Sequence, residues 1–138
     1  RSRFYPNTER VMGWDVGDTG FKIVLAASVP DVVRQFIRAD VDGFLTENEL
    51  EIGNIDAWIC HPGGPKILTA FEDCLDLPDQ ALSKTWTSLQ EIGNLSSASV
   101  LFVLRDTLKD MKREENQLGM LMAMGPGFCS ELVLLKWT

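Results

Sequence analysis

An apolar run from Ile55 to Cys60, broken only by Asp56, stops at His61-Pro62-Gly63-Gly64-Pro65, and this junction constrains the fold more than any other stretch of the chain. A short apolar run that ends in Pro/Gly turn chemistry reads as a buried strand. Beyond the turn, Ile67, Leu68, Phe71 and Leu75 recur at helical spacing. His61, the one histidine of the sequence, therefore sits where a buried strand gives way to a helix. In α/β proteins that end of a strand is where sites are built.

A second junction has the same character. Leu89 and Ile92 close one helical pattern, and Gly93-Asn94 breaks it. Ser96 to Ser99 open the next helix, whose broad apolar face is Val100, Leu101, Val103, Leu104 and Leu108. Asn94 falls at a helix start, a common N-cap position.

The rest of the chain supplies a frame for these junctions. Arg1 to Met12 is polar, with Asn7 or Thr8 able to cap a short helical turn. Trp14-Asp15-Val16 and Phe21-Lys22-Ile23 alternate around Gly17-Asp18-Thr19-Gly20 and predict a β-hairpin, its second strand extended by Val24 to Ala27. Ser28 to Phe44 predicts a helix with Pro30 in its first turn and an apolar stripe of Val33, Phe36, Ile37 and Val41. Thr46 with Glu49 spells a capping box. After a connector at Leu77-Pro78-Asp79, helices are expected from Gln80 to Ile92 and from Ser96 to about Lys112, and Lys109 to Gln117 reads as a solvated mixed-charge stretch. Leu118 to Met124 and Glu131 to Trp137 flank Gly125-Pro126-Gly127 as neighbouring antiparallel strands. The order ββ-α-β-α-α-α-β-β predicts an α/β fold, a mixed sheet with helices on its faces.

At 138 residues and 45% hydrophobic content, one domain with a sizeable core is expected. A net charge of −7, from 13 basic and 20 acidic residues, argues against a nucleic-acid or anionic-membrane partner, though it leaves room for a local basic rim around a phosphorylated ligand. No apolar run is long enough to span a bilayer, and no secretory signal pattern is present. Cys60, Cys74 and Cys129 are odd in number and lack metal or disulfide spacing. A cytoplasmic, reducing setting without a metal site is the expectation.

From residue chemistry alone, His61 is either a structural hydrogen-bonding residue or a catalyst, and Asn94 either an ordinary cap or an amide donor to a developing anion. The glycines beside His61 favour a site, since they let a backbone or ligand come close. The cysteines invite a Cys-His-Asn reading. Yet Cys60 precedes His61 on a strand and should face the other way, and Cys74 falls at the far end of the next helix. Cys129, near the Gly-Pro-Gly turn, is the least implausible of the three, and all are read as small buried residues.

His61-Pro62-Gly63-Gly64-Pro65 followed by Gly93-Asn94-Leu95-Ser96-Ser97-Ala98-Ser99 resembles the C-terminal half of the type III polyketide synthases, the chalcone and stilbene synthase family. Gly125-Pro126-Gly127 and, more loosely, Pro6-Asn7-Thr8-Glu9 extend the resemblance from about Tyr5 to Trp137. It implies the C-terminal (thiolase-like) domain over residues 1–138 of a bacterial-style enzyme, with the N-terminal half and its nucleophilic cysteine absent. The implied reaction is decarboxylative Claisen condensation of acyl-CoA and malonyl-CoA, with these thioesters as substrates and no further cofactor. His61 and Asn94 are the implied catalytic pair. Ser96 would line the pocket, Gly63, Gly64, Pro65 and Lys66 would approach the pantetheine arm, and Gly125 and Pro126 would stand beside the site. Phe21 falls where the family has a gatekeeping phenylalanine between access tunnel and cavity, offset by two residues of spacing, and Gly13 or Trp14 would shape the cavity. The implied partners are the N-terminal half and a second copy, as a homodimer. The neighbouring readings are a 3-oxoacyl-carrier-protein synthase III or hydroxymethylglutaryl-coenzyme A synthase of the same fold, and a non-catalytic dimerising module. Without the nucleophile the isolated chain is expected to be inactive.

Overall fold

The computed structural model describes residues 1–110 and 116–137. Its elements are β1 (Ser2–Phe4), β2 (Met12–Gly17), β3 (Gly20–Leu25), α1 (Val29–Glu47), β4 (Ala57–Cys60), α2 (Pro65–Leu75), α3 (Ser83–Glu91), α4 (Ser99–Asp110), β5 (Leu118–Gly125) and β6 (Cys129–Lys136). Four strands form one sheet in the order β1-β6-β5-β4, and β2 and β3 form a hairpin of their own. β4 runs parallel to β5, whereas β5–β6 and β1–β6 are antiparallel, so the main sheet is mixed as expected.

Alternation along the strands sorts the core into two. Trp58, Cys60, Met120, Met122 and Leu132 face α1 and α2, where they meet Val33, Ile37, Val41, Leu68 and Phe71. Ile59 faces the other way and packs with Val100 and Val103 of α4 and with Trp137. Helices thus cover both faces. Asp40, fully buried among these residues, accepts hydrogen bonds from Tyr5 Oη at 2.8 Å and Arg3 Nη1 at 3.3 Å and from the Ser130 hydroxyl. A buried carboxylate is tolerated only with such partners, and this one ties β1 and β6 to α1.

The structure departs from several local expectations. Arg1 to Met12 contains β1, and Pro6-Asn7 is a turn in which Thr8 Oγ1 donates to the Tyr5 carbonyl at 2.6 Å rather than a capped helix. Thr46 lies inside α1; the capping contact forms later, where the Glu51 N–H donates to Asn54 Oδ1 at 2.8 Å in front of a 3-10 turn, Ile52–Asn54. α3 starts at Ser83 instead of Gln80, because Gln80 takes a left-handed turn conformation (φ 67°) that no helix continues. Ser96–Ala98 is a 3-10 turn, and α4 begins only at Ser99. The expected extension of α4 to Lys112 and the middle of the mixed-charge stretch lie outside the described residues. No helix among those described is long and apolar enough to cross a membrane.

The hairpin turns its apolar face outward. Trp14, Val16, Phe21, Ile23 and Leu25 share that face, and Phe21 and Val16 are 74% and 73% exposed. Its base is pinned to the β5–β6 turn by a hydrogen bond from the Gly127 N–H to the Met12 carbonyl at 2.8 Å.

Candidate active site

The site grows from the end of β4. The His61 N–H continues the parallel ladder by donating to the Met122 carbonyl at 2.9 Å. Because Cys60 faces the α1/α2 core, His61 falls on the face of Ile59, which is the α4 side. The chain then folds tightly about Pro62, with the Gly63 N–H donating to the His61 carbonyl at 2.8 Å, a three-residue turn. Gly64 stands at the cap of α2 with φ 151° and ψ 162°, a backbone region essentially restricted to glycine. Its carbonyl receives the N–H groups of Ile67 and Leu68, so α2 starts immediately behind it with Pro65 in the first turn. A methyl group on Gly63 would come within 3.5 Å of His61 Cδ2 and 3.2 Å of Ile67 Cδ1, so the imidazole lies against this backbone.

Asn94 reaches the same turn from the other junction. The N–H groups of Ile92 and Gly93 both return to the Ser88 carbonyl and close α3. The Asn94 side chain then makes two bonds. Its Oδ1 accepts the Ser96 N–H at 2.9 Å, and its Nδ2 donates to the Gly63 carbonyl at 3.2 Å. Asn94 thus stands one residue before the cap position, which Leu95 occupies, and it closes an Asx turn instead of capping α4 directly. The amide oxygen is committed to backbone, and one hydrogen of Nδ2 has no protein acceptor among the described residues. His61 and Asn94 therefore bracket Gly63 from two different loops, although 33 positions separate them in the chain.

The half-buried imidazole of His61 is held below its ordinary value by desolvation, which favours the neutral ring. A neutral imidazole offers one N–H and one lone pair, and an asparagine amide offers N–H donors that never become anions. Neutral donors of this kind suit an oxygen on which negative charge develops.

The other expected residues divide. Gly63, Gly64 and Pro65 form the turn itself, and the Ser96 backbone is bonded to Asn94. Lys66, exposed on the first turn of α2, borders a shallow groove of about 400 Å³ shared with Ala27, Pro30, Asp31, Arg34 and Thr69. Gly125 ends β5 three residues beyond Met122, at the same end of the sheet as His61, and Pro126 sits in the tight β5–β6 turn. Phe21 lies apart on the hairpin, its ring edge-on to Trp14 with centroids 6.2 Å apart. A buried hydroxyl next to His61 also escaped the sequence reading. Thr85, fully buried on α3, donates from Oγ1 to the Cys60 carbonyl at 3.4 Å, one residue before His61. Its only signal was a hydroxyl residue on the inward side of a helix.

Among the described residues no three His, Cys, Asp or Glu side chains group as metal ligands. None of the cysteines is an activated nucleophile. Burial pushes the thiols of Cys60, Cys74 and Cys129 upward, away from the thiolate. Cys60 and Cys129 are buried as expected, whereas Cys74, near the end of α2, is only half-buried.

Comparison with known proteins gives this geometry a family. Residues 1–138 match the family described as chalcone and stilbene synthases, C-terminal domain. The chain is 50% identical over 137 residues to a 1,3,6,8-tetrahydroxynaphthalene synthase of Streptomyces peucetius, covering 99% of this chain and 36% of that protein. It is 38% identical over 130 residues to a putative chalcone synthase of Bacillus subtilis, again over 36% of the relative. The chain thus spans little more than a third of the length of these relatives. Among solved structures, the 1,3,6,8-tetrahydroxynaphthalene synthase of Streptomyces coelicolor, a bacterial type III polyketide synthase, superposes with a TM-score of 0.92 at 31% identity, over 100% of this chain and 39% of that one. The fold is the thiolase-like fold of those enzymes, and the chain belongs to the chalcone and stilbene synthase family as a type III polyketide synthase C-terminal domain.

Proposed function

We propose that this domain supplies the decarboxylation apparatus of a type III polyketide synthase that condenses an acyl-CoA starter with malonyl-CoA. The observation that carries the reading is the Asn94 amide bonded to the Gly63 carbonyl, in the turn against which the His61 imidazole rests. The malonyl thioester oxygen would lie between the His61 N–H and the uncommitted Asn94 N–H. When the bond from Cα to the carboxylate breaks, carbon dioxide leaves and the electron pair delocalises onto that oxygen. Two preorganised donors stabilise the resulting enolate. The enolate carbon then attacks the starter thioester, forming the new carbon–carbon bond and expelling the cysteine thiolate that held the starter.

That cysteine would come from the N-terminal half of the full-length protein. A thiolate beside His61 reverses the effect of burial on the ring, since an adjacent negative charge favours imidazolium, and the resulting ion pair keeps the sulfur nucleophilic near neutral pH. The pantetheine arm would pass Gly63, Gly64, Pro65 and Lys66. Phe21, with Trp14 and Ile23, would be covered by the other half or by a second copy in a homodimer, because an outward apolar face of this size marks an interface. Ring closure into an aromatic product fits the name borne by the Streptomyces peucetius relative.

The test is incubation of the full-length protein with a starter acyl-CoA and either malonyl-CoA or malonyl carrier protein. Polyketide formed from malonyl-CoA alone is the expected result. A requirement for the carrier protein would move the assignment to a carrier-protein synthase of the same fold.

A further inference from the structure

We propose that Ser99 is a positioning residue that fixes which end of the Asn94 amide faces the substrate; the inference rests on the reading of Asn94 as an amide donor. Ser99 opens α4, is 1% exposed, and its Oγ accepts the Leu95 N–H at 2.6 Å. The backbone it holds is unusual. Leu95 has φ −100° and ψ 32°, and Ser96 has φ 58°, in the left-handed region that residues other than glycine rarely adopt. Such backbone persists only where its surroundings over-determine it.

Leu95 stands at the cap position with no side-chain oxygen to offer the orphan N–H groups of the turn. The task is divided between the neighbours. Asn94 Oδ1 takes the Ser96 N–H and Ser99 Oγ takes the Leu95 N–H, a reciprocal arrangement related to a capping box. Without the Ser99 hydroxyl, the strained Ser96 relaxes and its N–H turns away from Asn94. The amide then keeps only its Nδ2 bond to the Gly63 carbonyl, and with its oxygen unpartnered it can turn that oxygen toward the site. An oxygen there accepts and does not donate, so it repels an enolate instead of stabilising it. Ser99 touches no substrate; it acts through Leu95, Ser96 and Asn94.

Two measurements test this. In the present chain, hydrogen exchange of the Leu95 amide should quicken about tenfold in Ser99→Ala, the size of one lost hydrogen bond, while amides from Val103 onward keep their protection. In the full-length protein, Ser99→Ala should lower kcat for malonyl-CoA decarboxylation by a similar factor, about tenfold, with KM unchanged. Ser99→Thr keeps the acceptor and should restore both readouts. Ser99→Cys, with a weaker acceptor of similar volume, should fall between, and it carries the test if Ser99→Ala does not fold. Unchanged Leu95 exchange in the Ala and Cys variants overturns the inference. So does an unchanged kcat in those variants when Asn94→Ala has lost decarboxylation. If Asn94→Ala itself keeps full decarboxylation, the donor reading fails, and the catalytic part of the inference falls with it; the exchange rates distinguish this from a failure of the Ser99 contact.

Discussion

Replacing Asn94 by Asp separates two roles that a replacement by Ala removes together. An aspartate keeps the oxygen that accepts the Ser96 N–H at 2.9 Å, so the Asx turn survives. It cannot donate to the Gly63 carbonyl, now bonded at 3.2 Å, and that loss costs about 0.5–1.5 kcal/mol. A negative charge in front of the turn that leads into α4 returns about 0.3–1 kcal/mol through the helix dipole. The two contributions nearly cancel, so the folding stability of Asn94→Asp should lie within about 1 kcal/mol of wild type. The effect on chemistry is of another size. If Asn94 is one of two donors, its loss by itself should remove about a hundredfold in rate, and an anion would stand where the enolate oxygen is proposed to develop. Denaturant unfolding of the chain gives the first quantity, and carbon dioxide release from malonyl-CoA by the full-length protein gives the second. An Asn94→Asp protein that is stable and decarboxylates at the wild-type rate would refute the donor assignment. One that is destabilised by several kcal/mol would refute the geometry of the turn.

Further expectations follow from other residues of the same region. Gly64→Ala places a side chain at φ 151°, and strain of about 1–3 kcal/mol should appear as a lower denaturation midpoint; an unchanged midpoint would contradict the turn geometry. Because burial depresses the His61 value, its contribution to stability is complete above about pH 6.5, the ordinary histidine value, and is lost as pH falls through the depressed one. Melting curves from neutral to mildly acidic pH should therefore fall more steeply for wild type than for His61→Gln, and equal slopes would count against a desolvated ring. The outward hairpin face predicts concentration-dependent association of the isolated chain, reduced by Trp14→Ser with Phe21→Ser; sedimentation as a monomer at high concentration would contradict it.

What could be read in advance depended on how local the signal was. The β4–turn–α2 unit was legible because an apolar run, a Pro-Gly-Gly-Pro turn and a helical stripe follow one another within about twenty residues and agree. β1 was not, because Ser2–Phe4 pairs with Cys129–Glu131 at the far end of the chain and carries no buried alternation of its own. The burial of Asp40 was not legible either, since the hydroxyls of Tyr5 and Ser130 that satisfy it are distant in sequence. The approach of Asn94 to the turn that follows His61 belongs to the same class. Each was marked by its own turn, but only the stacking of α4 on the Ile59 face brings the Asn94 loop to Gly63. Ser99 and Thr85 escaped because a buried hydroxyl that bonds a neighbouring backbone looks like any small residue in a helical pattern.

In the proposed function His61 and Asn94 share one oxyanion, while only His61 serves the thiolate. In the full-length protein, covalent labelling by the starter acyl-CoA and carbon dioxide release from malonyl-CoA should be compared in Asn94→Ala and His61→Ala. Asn94→Ala should keep starter labelling and lose decarboxylation by about a hundredfold or more, on the order of 3 kcal/mol, whereas His61→Ala should damage both. Equal loss of both activities in a properly folded Asn94→Ala protein would contradict this reading, and would reduce Asn94 to the residue that ties two loops together.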